Sequence, residues 1–116
     1  MQDRLRTWRT DEMEEKYQNE KGERSKNGCP LCSSPAIETF KFWKVILNDF
    51  PYDKVASRHD MIVPLRHTSE MNDEERAEFL EIRKTYINDN YRYILEATTR
   101  TKSIPTHFHL HLLEIK

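Results

Sequence analysis

Three histidines alternate with apolar residues in the segment HFHLHLL, at positions 107–113 of the 116-residue chain. Successive side chains of a β-strand point to opposite faces, so this spacing predicts that His107, His109 and His111 share one face while the apolar residues face the core. A neutral imidazole can ligate a metal, attack as a nucleophile or exchange protons. An exposed face that uses histidine by chance is a further alternative, although Thr, Lys or Glu would serve there equally well.

One metal ion bound by all three histidines is the less favoured functional interpretation. Same-face positions on a strand are about 6.5–7 Å apart, so three imidazoles could converge on one ion only by straining the strand. The other two histidines of the chain are His59 and His67, in the segment RHDMIVPLRH at 58–67. Taken alone, each has the character of an ordinary surface histidine.

Two cysteines, Cys29 and Cys32, have the C-x-x-C spacing with which two thiolates can bind one zinc ion from a single turn. Redox dithiols use the same spacing, but they open a helix after a strand, whereas this pair lies between Asn-Gly and Ser-Ser-Pro. Two unrelated thiols are the remaining alternative. The pair supplies half of a tetrahedral site, so two histidines would have to complete it.

Composition excludes several classes of protein. Nineteen basic and 20 acidic residues give a net charge of -1, which argues against binding of nucleic acid through phosphate neutralisation. No apolar run approaches the roughly 20 residues of a membrane span, and the first residues lack the apolar region of a secretory signal. We therefore expect a cytoplasmic protein without a structural disulfide. With only two glycines, the chain also lacks a glycine-rich phosphate loop.

The elements that must position these residues can be predicted from periodicity. Residues 1–28 are half charged, and the helical spacing of Met1, Leu5 and Trp8 predicts an exposed helix that docks on the domain or binds a partner. A second helix, capped by Asn72 or Asp73, is predicted to end near position 87. Strands are predicted over 38–47, 59–63, 91–99 and 106–113. Strands on both sides of a helix predict an α+β domain, with an antiparallel sheet and helices on one face.

The segment HFHLHLL resembles the signature of the histidine triad (HIT) family, in which three histidines alternate with apolar residues. Two other segments support this resemblance: HDMIVPLRH at 59–67 is similar to the family's H-x-L-V-I-P-x-x-H strand, and NDFP at 48–51 looks like the N-x-x-P turn of its dinucleoside-polyphosphate-hydrolase branch. The resemblance covers about residues 29–116 and leaves 1–28 as a charged helical extension. It implies a HIT-like fold with a sheet of about five antiparallel strands.

The resemblance implies a nucleotide hydrolase or nucleotidyl transferase that acts at the α-phosphate of a dinucleoside polyphosphate or a nucleoside phosphoramidate. His109 would then be the nucleophile that forms a nucleotidyl-histidine, with His111 and His59 beside the phosphate and Asn48 on the ribose. The family's Gly-Gln-Ser/Thr is replaced here by KSIPT at 102–106, where Ser103 is the candidate nucleotide contact. A non-catalytic nucleotide-binding or zinc-stabilised module is therefore the alternative.

The resemblance also implies a metal and two partners. In zinc-bearing members a C-x-x-C joins the histidine after the proline and the first histidine of the triad. Carried over, one structural zinc per chain would be bound by Cys29, Cys32, His67 and His107. A purine nucleotide is the implied substrate, and a homodimer is the implied assembly; neither a nucleic acid nor a membrane is expected.

Overall fold

The computed structural model describes residues 7–25, 28–98 and 104–116, and they form a five-stranded sheet with helices. The strands are β1 (Ala36–Thr39), β2 (Trp43–Leu47), β3 (Ala56–Pro64), β4 (Tyr93–Leu95) and β5 (Leu110–Ile115). Their order across the sheet is β1-β2-β3-β5-β4, and every neighbouring pair is antiparallel. The predicted α+β fold with about five antiparallel strands is confirmed.

The main hydrophobic core lies between one face of the sheet and a helix that follows β3 in the chain. That helix is α3 (Asp73–Ile82), which continues through a π-helical turn (Arg83–Ile87) into α4 (Asn88–Asn90). The sheet contributes alternate residues of its three central strands: Trp43, Val45, Ile62, Leu110 and Leu112. The indole Nε1 of Trp43 donates to the backbone oxygen of Glu75 at 2.8 Å, so a hydrogen bond also fixes the helix to the sheet.

Of the two cap residues that the sequence predicts for this helix, Asn72 and not Asp73 is the cap of α3. The side chain of Asn72 accepts from the backbone N–H of Glu75 at 2.8 Å, and the Glu75 carboxylate accepts from the backbone N–H of Asn72 at 2.8 Å. This reciprocal capping box satisfies two N–H groups that a helix start otherwise leaves unpaired. Arg66 also binds the Glu75 carboxylate, at 2.9 Å, and thereby ties the segment after β3 to the helix.

The prediction of one strand over 38–47 is wrong, because the chain turns between β1 and β2. Phe40 donates its backbone N–H to the oxygen of Trp43 at 2.7 Å. The Glu78 carboxylate accepts from the backbone N–H groups of Lys41 and Phe42, at 2.9 and 2.7 Å. A side chain from α3 therefore caps this turn, which contains neither glycine nor proline, and no local pattern announces it.

The other three strands also differ in extent from the prediction, and β3 (Ala56–Pro64) extends beyond the predicted 59–63 at both ends. The last strand begins at Leu110 rather than at 106, because the backbone N–H of Phe108 binds the oxygen of Thr68 at 2.6 Å instead of a neighbouring strand. His107 and His109 therefore precede the regular strand and only His111 lies within it. The strand predicted over 91–99 is limited to β4, and position 99 lies outside the described residues.

The opposite face of the sheet carries a smaller core and the N-terminal segment. Leu31, in the short helix α2 (Pro30–Ser33), packs there against Ile46, Met61 and Val63. Helix α1 (Asp11–Ser25) begins later than predicted and does not include Trp8, because the Thr10 hydroxyl accepts from the backbone N–H of Met13 at 3.3 Å. The predicted contacts of Met1 and Leu5 lie outside the described residues. Within the described part of the chain, no helix has the length and hydrophobicity needed to cross a membrane.

Candidate active site and metal centre

Four side chains converge on one point beside α2, and we call Cys29, Cys32, His67 and His107 the metal cluster. Their ligand atoms all lie within 4.8 Å of one another. The Nδ1 atoms of the two histidines are 3.2 Å apart; the Cys32 sulfur lies 3.2 and 3.4 Å from them, and the Cys29 sulfur lies 3.5 Å from that of His107. Tetrahedral zinc would require about 3.4 Å between two nitrogens and about 3.6 Å between nitrogen and sulfur. The four residues thus fit a single metal ion.

The orientation of His107 supports the same conclusion. Its Nε2 lies 3.0 Å from the backbone oxygen of Pro64, and a carbonyl can only accept, so Nε2 carries the proton. In the neutral ring, Nδ1 then presents its lone pair to the other ligand atoms of the cluster. A hydrogen bond from the remote ring nitrogen to a backbone carbonyl is the usual way in which proteins orient a metal-binding histidine.

Neighbouring segments hold the two cysteines in place. The ammonium group of Lys44, on β2, donates to the backbone oxygens of Cys32 and Ser34 at 3.1 and 2.7 Å. Desolvation and the adjacent Cys29 thiol raise the pKa of the Cys32 thiol. A cation bound between the two sulfurs would reverse this effect by stabilising both thiolates. A metal would therefore favour the thiolate form of the cluster. The cluster connects α2, the segment after β3 and the segment before β5.

A second histidine pair lies farther along the same face of the sheet. His59 on β3 and His111 on β5 approach to 2.8 Å between Nε2 and Nδ1. The backbone N–H of Tyr52 donates to His59 Nδ1 at 3.0 Å, so the proton of the neutral His59 ring must be on Nε2. That proton is donated to His111 Nδ1, which leaves the His111 proton on its Nε2. One backbone N–H therefore fixes the tautomers of both rings.

Both rings of this pair are held in the neutral form. Burial lowers the pKa of His59 to about 3, with smaller contributions from His111 and Arg9. Burial likewise lowers the pKa of His111 to about 4, with His109 and Arg9 adding to the effect. The rings are only 4% and 7% exposed, and the Tyr52 ring covers them at centroid distances of 4.4 and 5.3 Å. The pair therefore presents one N–H donor without charge at neutral pH, the Nε2–H of His111.

His109 lies between the metal cluster and the histidine pair. Its Nδ1 is 2.9 Å from the backbone oxygen of His107, so Nδ1 carries the proton. Nε2 of the neutral ring then has the lone pair, which is the atom that a nucleophilic imidazole uses. The ring is 4% exposed and its centroid is 5.6 Å from that of His111, in an edge-to-face arrangement. The two adjacent rings thus carry a lone pair, on His109 Nε2, and an N–H donor, on His111 Nε2.

A cavity of about 440 Å³ opens onto these rings, and we call it the histidine cavity. His109 and His111 form part of its wall, together with apolar side chains and with residues of the loop between β2 and β3. The lining includes Leu31, Leu47, Asn48, Phe50, Met61 and Ile104. This volume is within the range of small-molecule sites, and the apolar wall with a few polar groups is typical of them.

The structure brings together most of the site residues predicted from the sequence. Asn48 lines the cavity; its side-chain oxygen accepts from the backbone N–H of Phe50 at 2.8 Å, and its Nδ2 lies 3.2 Å from His59 Nε2. Since both of these nitrogens are donors in the assigned tautomer, this last approach is a contact and not a hydrogen bond. Ser103 lies outside the described residues, whereas its neighbour Ile104 contributes an apolar side chain to the wall.

Sequence reasoning missed three residues of the site. Tyr52 covers the histidine pair and fixes its tautomers through a backbone group, which leaves no pattern in the sequence. Arg9 and Tyr17 line the cavity although they belong to the N-terminal segment, for which the sequence predicts a helix that docks on the domain or binds a partner and no role in the site. The only available signal for this segment was the presence of aromatic residues among its charges, a sign that one side of it is buried.

Comparison with known proteins bears on the fold. The chain matches no protein-family profile and no curated protein. Among solved structures it is similar to a HIT family hydrolase from Clostridium thermocellum, with a TM-score of 0.55 and 20% sequence identity. The similarity covers 75% of this chain and 90% of the other protein. It confirms the HIT-like fold that the histidine motif predicted, and at this identity it establishes the fold alone.

Proposed function

We propose that this chain, which has a HIT-like fold, is a nucleotide hydrolase or nucleotidyl transferase that acts at the α-phosphorus of a nucleotide conjugate. The observation that carries the proposal is the hydrogen-bond pattern of three adjacent rings, from which the position of each ring's proton follows. His109 has its lone pair on Nε2, while His111, oriented by His59, has its proton on Nε2. A nucleophile beside a donor for a phosphate oxygen, on the wall of one cavity, suits covalent catalysis at a phosphorus atom.

The reaction proceeds in two displacements. The Nε2 lone pair of His109 forms a bond to the α-phosphorus as the bond to the leaving group breaks, and the leaving group departs with that electron pair and takes up a proton. The N–H of His111 donates to a phosphate oxygen, where negative charge is concentrated. Water or another acceptor then attacks the same phosphorus, releases a proton and breaks the phosphorus–nitrogen bond. A nucleoside monophosphate or a new nucleotide conjugate leaves, and His109 is neutral again.

The metal cluster has a structural role in this proposal. Two cysteines and two histidines match the ligand set of closed, tetrahedral zinc sites, so zinc is the proposed ion. It would tie α2 and the segments around β3 and β5 together, and His109 is only two residues from a ligand. The metal would therefore hold the backbone oxygen of His107, which orients the His109 ring.

A non-catalytic nucleotide-binding module is the second candidate, and one observation favours it. Ile104 presents an apolar side chain to the cavity at the position where the family resemblance implies a hydroxyl that assists the leaving group. Such a module would bind nucleotides through the same cavity without turning them over. The purine preference, the homodimer, the cytoplasmic location and the division into an extension and a domain remain predictions.

The experiment is a turnover assay with two substrates, an adenosine phosphoramidate and diadenosine tetraphosphate, with release of adenosine monophosphate as the readout. The wild type should hydrolyse at least one of them. His109→Asn should remove turnover but keep the metal, since its ring is not among the cluster's ligand residues. His107→Asn, two residues away, should lose metal and stability together. Binding of nucleotides without turnover by the wild type would select the module instead.

A further inference from the structure

Residues of the N-terminal segment form one wall of the histidine cavity. Arg9, Tyr17 and Lys21 line it, and the first and last of these place cationic groups beside a site that otherwise has many apolar side chains. Asp49 is the acidic residue in the same lining. The segment outside the family resemblance therefore contributes charge to the site.

The segment is firmly attached to the loop between β2 and β3. Thr10 donates its backbone N–H and its hydroxyl to the two carboxylate oxygens of Asp53, at 2.7 and 2.9 Å. Lys54 donates its backbone N–H to the oxygen of Trp8 at 2.8 Å. The loop that receives these bonds also bears Asn48 and Tyr52, so attachment and site share one structural unit.

The guanidinium group of Arg9 is held at a fixed place in this wall. Its Nε donates to the backbone oxygen of Phe50 at 2.7 Å, and Nη1 lies 3.4 Å from a carboxylate oxygen of Glu14. The Tyr17 and Tyr52 rings are 4.2 and 5.0 Å from the guanidinium carbon. Among the described residues, Nη2 has no hydrogen-bond partner. The planar cation is thus oriented by stacking and by two hydrogen bonds, and Nη2 can still donate a further one.

The charge of Arg9 reaches the reacting groups. It is among the causes that lower the pKa values of both His59 and His111, which places its field at the rings that would contact the phosphate. Ile104, on the same cavity wall, has no polar group to offer there. A guanidinium binds phosphate oxygens through charge-assisted hydrogen bonds, and Nη2 of Arg9 can donate such a bond.

We propose that Arg9 binds a phosphate group of the substrate beyond the one that His109 attacks, so that the site prefers nucleotide conjugates with two or more phosphates. This inference rests on the proposed function, because it assumes that the histidine cavity binds nucleotides. Arg9 is then a specificity-determining residue, contributed by the extension and not by the part of the chain that resembles the HIT family.

The test is calorimetric binding of diadenosine tetraphosphate and of adenosine monophosphate, in a His109→Asn background where nothing turns over. Arg9→Ala should weaken binding of the tetraphosphate about 10- to 100-fold, the usual effect of removing a charge-assisted hydrogen bond. Its effect on the monophosphate should be at least about tenfold smaller. Arg9→Lys should restore part of the loss, since it returns the charge without the planar fork.

Thr10→Val is the matched control for loosening of the segment, because it removes the hydroxyl's bonds to Asp53 and to the backbone N–H of Met13, and no charge. This variant should change the binding affinity for both ligands by the same factor. If Arg9→Ala weakens the binding of both ligands by the same factor, Arg9 only anchors the segment and the proposal is overturned. A parent protein that binds neither nucleotide would also overturn it. Binding with the expected difference, in a protein that turns over neither substrate, would refute the proposed catalysis and retain the role of Arg9.

Discussion

Acidification should destabilise this protein through the neutral pair of His59 and His111. The pKa of a histidine in the unfolded chain is about 6.5, whereas burial lowers the folded values to about 3 and about 4. As the pH falls from 8, the unfolded chain therefore binds protons first. The stability contributed by each neutral ring is fully present above about pH 6.5, and it is lost as the pH falls from there toward the folded-state pKa.

The magnitude follows from this difference in proton affinity. At pH 5 an unfolded histidine is almost fully protonated, whereas His59 and His111 in the folded protein are still mostly neutral. Relative to pH 8, the cost is about 2 kcal/mol for each ring, or about 4 kcal/mol for the pair. That is a large part of the stability of an ordinary domain, which is about 5–15 kcal/mol.

Urea unfolding at pH 8 and pH 5 measures the effect, and His59→Asn separates it from the titration of other groups. The variant lacks one ring of the pair but keeps the metal cluster, so the protonation of cluster ligands is common to both proteins. Its loss of unfolding free energy between the two pH values should be smaller than that of the wild type by about 2 kcal/mol. If the two proteins lose the same amount, His59 is not held neutral and the tautomer assignment fails.

Three further predictions concern the metal and the packing of the fold. Cys32→Ser should lower the metal content below one ion per chain by elemental analysis and lower the free energy of unfolding by several kcal/mol; a variant that retains one ion would contradict the cluster. Asn72→Ala should cost about 1 kcal/mol in urea unfolding through loss of the capping box, and an unchanged midpoint would count against that cap. Tyr91→Phe should cost about 1–3 kcal/mol in the same assay, because the hydroxyl donates to the buried carboxylate of Asp60; a neutral effect would mean that Arg58 alone satisfies this carboxylate.

The parts of the fold that follow from local patterns were predictable. Asn72 is a good cap with Glu three residues later, and α3 begins where these two residues place it. The alternation of histidine and apolar residues likewise identified the two faces, with Leu110 and Leu112 in the core. These features depend on side-chain periodicity, which the sequence displays directly.

The parts of the fold that depend on contacts between residues far apart in the sequence were not predictable. The turn between β1 and β2 is capped by Glu78, 36 positions after Phe42, so nothing nearby interrupts the predicted strand. The site shows the same limit: Arg9 lies at the cavity because residues 8–10 bind the loop between β2 and β3, as Thr10 binds Asp53, 43 positions later. Long-range side-chain to backbone contacts leave no periodic signal, and for this reason the N-terminal segment was interpreted as separate from the site.

The central claim is that Nε2 of His109 attacks the α-phosphorus, and trapping of the covalent intermediate tests it most directly. The protein is mixed rapidly with diadenosine tetraphosphate and quenched in alkali, in which a phosphorus–nitrogen bond to histidine survives. Tandem mass spectrometry of the digested protein then locates the adduct. We expect one adenylyl group on His109 and none in His109→Asn, which should retain its metal. An adduct on another residue, or one that persists in His109→Asn at the wild-type level, would contradict the account.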